Sequence, residues 1–343
     1  MAIIAIGMEA LIFPVRVTVV EHRGLPAFFV CKFIIGYIFI NYKLFHKDSN
    51  KIASLIIQGD KNMTKIKAGD GADIHVKFFG ANLIKGVVIV CHGFGEHSGC
   101  YNELAEHLAR SGYASVVFDQ RGHGDLPEEF SANPKKFYGI IPVYDSFLDD
   151  IGDILAWVKQ KLPDVPVSLY GHSMGGNIAL NYLLKRGQSD FACAVIESPW
   201  LGLYKEVSPF TSVMAKVIGY ITPNISVLSS LPPEDITSHK PKAKEIADDP
   251  NYHNRISLRM FSGIKDACAY AVKNAAALTL PTYLAIAEND RIVCNEAIRQ
   301  FTDKCEPNVK IKKYESHHSI HNDIHGAKFY QDFVSFLNAY EKT

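Results

Sequence analysis

The residues best placed to do chemistry are a serine between two glycines, in Gly171-His172-Ser173-Met174-Gly175, and the carboxylates and histidines downstream of it. A serine hydroxyl is a weak nucleophile at neutral pH and needs a base to take its proton. The base needs a carboxylate that fixes its tautomer and stabilises the imidazolium. Downstream of Ser173 the best-placed acid is Asp290, in Glu288-Asn289-Asp290-Arg291, with Glu197 and Asp266 as the other candidates. Three histidines, His317, His318 and His321, cluster near the end of the chain. Composition does not separate them; position just past the last strand favours His318. An oxyanion would be held by two backbone N–H groups, that of Met174 after the nucleophile and that of Phe94 in the His92-Gly93 loop.

The elements around these residues must aim them. Residues 167–170 have strand character, and residues 177–184 are helix-forming. Strand, Gly-x-Ser-x-Gly and helix in that order form a nucleophile elbow, in which a sharp turn lifts the serine above the sheet edge. Strands are expected over 74–79, 86–91, 114–118, 193–196, 282–287 and 309–314, and helices over 102–111, 144–161 and 326–340. The run 86–91 is apolar throughout, as in a strand buried on both faces. Strands alternating with helices imply a mostly parallel sheet covered by helices on both sides. In such sheets the reacting groups sit at the carboxyl ends of the strands, and each candidate falls there. Residues 199–280 are too long for a simple crossover and read as a mainly helical cap inserted in a domain spanning 63–340. Phe210, Met214, Val217 and Ile221 form an apolar stripe in that cap, suited either to an acyl-binding lid or to packing on the main domain.

Lys+Arg and Asp+Glu both number 36, so the chain is neutral at pH 7. Nucleic-acid binding, which needs a basic face, is not expected. The seven cysteines are scattered and never spaced Cys-x-x-Cys, which fits free thiols in a reducing, cytoplasmic setting and no metal site. Residues 1–62 differ from the rest. Residues 25–42 are apolar with one charge, Lys32, near the length that spans a bilayer. They read as a membrane anchor or as an extension foreign to the natural protein, since Met63 would serve as an ordinary start.

The segments His92-Gly93-Phe94-Gly95-Glu96-His97-Ser98-Gly99, Tyr101, Asp119-Gln120-Arg121-Gly122-His123-Gly124 and Gly171-His172-Ser173-Met174-Gly175-Gly176 resemble the monoacylglycerol lipases and related lysophospholipase-like serine hydrolases. The resemblance extends to Ser198-Pro199, Asp290-Arg291 and His318 to His321, over about 63–340. It implies an α/β-hydrolase fold with a cap, and hydrolysis of a single-chain lipid ester without cofactor or metal. It implies Ser173 as nucleophile, Asp290 as acid, His318 as base, and Phe94 and Met174 as oxyanion donors. Glu96 and His321 are implied at the head-group end of the substrate pocket. Contact with a membrane surface follows from such a substrate. The rival expectations are a short-chain esterase or peptidase of the same fold, and an inactive binding module.

Overall fold

The computed structural model describes residues 63–305 and 307–340. The expectations for residues 1–62 lie outside the described residues.

The strands are β1 (Thr64–Lys67), β2 (Asp73–Phe79), β3 (Gly86–Cys91), β4 (Tyr113–Phe118), β5 (Val167–His172), β6 (Cys193–Glu197), β7 (Ser226–Leu228), β8 (Arg255–Ser257), β9 (Thr282–Ala287) and β10 (Val309–Tyr314). The helices are α1 (Asn102–Arg110), α2 (Asp145–Lys161), α3 (Met174–Lys185), α4 (Pro209–Ile221), α5 (Pro233–Ile236), α6 (Lys240–Asp248), α7 (Leu258–Asn274), α8 (Asn295–Thr302) and α9 (Gly326–Asn338). Eight strands form one sheet in the order β1-β2-β4-β3-β5-β6-β9-β10. β1–β2 and β2–β4 are antiparallel and every other neighbouring pair is parallel. The chain is therefore an α/β-hydrolase fold, as its alternating pattern predicts.

Side chains of a central strand point alternately to its two faces, and each face has its own core. Val87 and Ile89 of β3 join the core covered by α2, α3, α7 and α8. Val88 and Val90 join the core covered by α1 and α9. β10 lies at an edge, and its Lys310 and Lys313 keep that edge polar, which discourages pairing with another chain.

The stretch between β6 and β9 serves two purposes. Its last helix, α7, buries Met260, Ile264, Ala267, Cys268 and Ala271 in the core over the sheet, so it belongs to the main domain's covering layer. The earlier part carries α4, the short β7–β8 hairpin, α5 and α6. The stripe of α4 is not packed: Phe210 is 76% and Ile221 71% exposed, and Met214 and Val217 are exposed as well. No helix among the described residues is long and apolar enough to cross a membrane.

Candidate active site

β5 ends at His172 and α3 begins at Met174, so Ser173 alone makes the turn. Its φ is 53° and its ψ −116°, a conformation that costs a non-glycine residue about 1–3 kcal/mol. Surrounding bonds hold it there. The Ser173 N–H donates to the Glu197 carbonyl at 2.9 Å, and its own carbonyl accepts from Asn177 and Trp200. A Cβ on Gly171 would lie 2.4 Å from the Gly175 carbonyl oxygen, and one on Gly175 would lie 2.1 Å from that of Cys91. Both positions therefore exclude every larger residue.

Asp290 follows β9 and His318 follows β10, and the parallel pairing of these strands brings the two loops together. His318 Nδ1 lies 2.7 Å from Asp290 Oδ2. Asp290 Oδ1 accepts the N–H groups of Ile292 and Val293 at 2.8 and 2.9 Å, so the carboxylate is held at both oxygens. Burial works against a charged His318, but the charge of Asp290 and its hydrogen bond outweigh burial, with Glu96 and Glu197 adding to them; the pKa is raised above the ordinary histidine value. Ser173 and His318 line one cavity of about 450 Å3.

The two N–H groups expected to receive an oxyanion come from two elements. Met174 is the first residue of α3, so its N–H has no intrahelical acceptor. The Phe94 N–H has no acceptor among the described residues. The loop carrying Phe94 is fixed by Glu96, whose Oε2 accepts from the Gly93 N–H and from the Tyr101 hydroxyl, both at 2.6 Å. The Phe94 ring meets His123, Trp200 and His253 edge to face. Two of these partners come from beyond β6, so that stretch packs directly on the loop carrying Phe94.

Of the two residues that the resemblance implies at the head-group end, Glu96 is on the cavity wall. His321 is set back from it: it lines neither this cavity nor the neighbouring one. Glu197 holds it there, accepting from the His321 backbone N–H and lying 3.0 Å from Nδ1, while the Tyr101 ring stacks on its imidazole. Glu197, a candidate acid from the sequence, is thus committed to His321 and to the Tyr170 hydroxyl. Burial alone would raise its pKa, but His321 and His172 hold it below the usual carboxylate range. Asp266, the third candidate, pairs with Lys216 on the exposed surface.

Sequence reasoning assigned no role to His172, Tyr101 or Tyr252. His172 lines the cavity beside Ser173, with Nδ1 3.2 Å from the Tyr101 oxygen, and its buried Nε2 has no partner among the described residues. Its signal was its place inside the Gly-x-Ser-x-Gly motif. Tyr252 lies in the inserted stretch, where no pattern marked it. The six described cysteines are all free.

The family model for serine aminopeptidase, S33, matches residues 83–325. An abhydrolase domain-containing protein of Dictyostelium discoideum is 31% identical over 73% of this chain, and the match spans 25% of that protein's length. The phospholipase YtpA of Bacillus subtilis is 26% identical over 74% of this chain and 95% of its own. The crystal structure of a monoacylglycerol lipase from Paleococcus ferrophilus superposes with a TM-score of 0.70 at 27% identity, covering 78% of this chain and all of that one. With its strained serine, its paired loops and the match over residues 83–325, the chain belongs to the serine aminopeptidase S33 family and is a monoacylglycerol lipase-like α/β-hydrolase.

Proposed function

We propose that the protein hydrolyses the ester bond of a single-chain lipid, a monoacylglycerol or a lysophospholipid, through an acyl-enzyme on Ser173. The observation that carries this reading is the cavity that joins Ser173 and His318 to an apolar wall. Trp200, Leu203, Val207, Leu231, Ile236 and Ile292 supply its apolar lining, and Glu96, His172, Lys205, Asp235 and Arg291 its polar and charged lining. A fatty chain suits the apolar side chains, and the polar ones suit the alcohol.

His318 donates Nδ1–H to Asp290, which leaves Nε2 to take the proton of Ser173 as its oxygen attacks the ester carbonyl. The backbone N–H groups of Phe94 and Met174 receive the oxyanion, already oriented before the reaction begins. His318 then protonates the leaving alcohol and next activates water to clear the acyl group.

The partner surface is proposed to be lipid. Val207 and Ser229 to Leu231 line the cavity and bracket the segment that holds α4 and β7. That segment exposes Phe210, Val213, Val217, Ile221 and Leu228. The six free thiols support a reducing compartment.

Two measurements test the reading together. A fluorophosphonate should label Ser173 with one equivalent, and Ser173→Ala should abolish both labelling and turnover of monoacylglycerols. An enzyme that accepts the label on Ser173 and, before labelling, cleaves peptides or short acetate esters while leaving long-chain monoesters intact would overturn the lipid assignment.

A further inference from the structure

The stretch inserted between β6 and β9 passes from α6 to β8 through residues 249–254, and this passage runs along the loop that carries Phe94. The His253 N–H donates to the Gly95 carbonyl at 2.9 Å. Gly95 has a φ of 79°, and a Cβ there would lie 2.1 Å from the His253 carbonyl oxygen, so the two backbones meet with no room between them. The buried His253 side chain completes the contact. Its Nδ1 accepts the Arg255 N–H, which leaves Nε2–H to donate to the Gly122 carbonyl at 3.1 Å. Its ring stacks on Tyr138 and meets Phe94 edge to face. His97 makes a second tie. Its Nδ1 accepts the Gly99 N–H, so Nε2 carries the proton and donates it to Asp249 Oδ2 at 2.9 Å. Asp249 Oδ1 accepts the Asn251 N–H. Burial works against a charged Asp249, but these bonds outweigh it and its pKa is lowered. The passage is braced from its other side as well: the Ser229 N–H donates to the Asn254 carbonyl at 2.7 Å, and β8 pairs with β7.

Resting on the proposed acyl-enzyme chemistry, we propose that His253 and Asp249 are positioning residues for the reaction, holding the loop so that the Phe94 N–H points at the oxygen that becomes charged. Neither lines the cavity that holds Ser173, so both act through the loop and not on the substrate. A donor stabilises a developing charge best when it is already oriented and need not reorganise. Loss of one such donor costs about 10^2–10^3 in rate, and a misplacement of about 1 Å can cost about 10^2. The loss falls on kcat, because the donor meets full charge only in the transition state. The inserted stretch thereby governs the rate of the chemistry as well as the shape of the cavity.

The test compares Asp249→Ala and His253→Ala with the unaltered protein on a soluble chromogenic ester, with rates normalised to the fraction of chains that a fluorophosphonate labels. Each variant should lower kcat by about tenfold or more while KM stays within about twofold. Two inhibitors with one alkyl chain separate positioning from general damage. A trifluoromethyl ketone forms an adduct with Ser173 that carries an oxyanion, and its affinity should fall by the same factor as kcat/KM. The matching amide resembles the ground state, and its affinity should stay within about twofold. Asp249 is partly exposed, so Asp249→Ala keeps the test open if His253→Ala does not fold. A kcat within about twofold of the original in the folded variants, or equal losses of affinity for ketone and amide, would overturn the positioning role alone. An unaltered protein that cleaves no ester and forms no adduct with the ketone would overturn the acyl-enzyme reading and this inference with it.

Discussion

Replacing Asp290 by asparagine changes one atom and should nearly silence the enzyme, for a reason that the hydrogen bonds make explicit. Asp290 Oδ1 accepts two backbone N–H groups, and Oδ2 faces His318 Nδ1. An asparagine has only one oxygen. If that oxygen stays on the two N–H groups, the amide NH2 faces His318 and requires a lone pair on Nδ1. The imidazole proton then moves to Nε2, where it blocks acceptance of the Ser173 proton. The flipped amide would point its NH2 at the N–H groups of Ile292 and Val293. Two buried donors would lose their acceptor, at about 1–3 kcal/mol each. The wrong tautomer is therefore the stable one, and kcat/KM should fall by about 10^4, or about 5.4 kcal/mol in activation free energy. Steady-state hydrolysis of a chromogenic ester measures this, with thermal unfolding run alongside. The residual activity should also titrate differently. His318 must be neutral to act as base, and Asp290 is the main influence holding its pKa up against burial. Removing that charge should move the acidic limb of the pH–rate profile to lower pH. An Asp290→Asn enzyme within tenfold of the original, particularly alongside a Glu197→Gln enzyme that has lost activity, would refute the assignment of the acid.

Three further outcomes follow. Ile264 is fully buried on α7 in the core that this helix shares with α3, so Ile264→Ala should cost about 2–5 kcal/mol in urea unfolding; a loss under 1 kcal/mol would mean that α7 is not part of the core layer. His253 is held near pKa 4, chiefly by burial with His92 and Arg255 adding to it; its folded value lies below its unfolded value of 6.5, so the stability it favours is complete above pH 6.5 and lost as pH falls toward 4. His253→Gln should therefore flatten the loss of stability between pH 7 and 4.5 by about 2–3 kcal/mol, and an unchanged slope would assign that loss to other groups. Phe210 and Ile221 are largely exposed on α4, so Phe210→Asp with Ile221→Asp should abolish sedimentation with zwitterionic vesicles while a soluble ester is still cleaved; full retention on vesicles would rule out α4 as the docking face.

Much of the fold was legible in the chain because its signals are local. β3, β9 and β10 span the stretches expected of them, since continuous or alternating apolar runs report burial in a sheet without reference to distant residues. β1, β7 and β8 passed unnoticed because three or four residues carry too little pattern. Ser173 was legible for the same local reason: strand, two glycines and helix must adjoin in sequence for the turn to exist. The partner of the base was legible only as a ranking. Position and the family resemblance favoured Asp290, but Glu197 and Asp266 were chemically able to serve, and the tertiary structure separates the three. It puts Asp290 against His318, commits Glu197 to His321 and leaves Asp266 with Lys216. The same holds for α7, which shares its stretch with the expected cap yet packs as core, and for His321, implied near the head-group end, whose ring sits beside that of the cavity-lining His172 without lining the cavity itself. Periodicity records which face of an element is apolar, but which charged group meets which is set by how parallel strands bring distant loops to one edge of the sheet, and that information is held by no single segment of the chain.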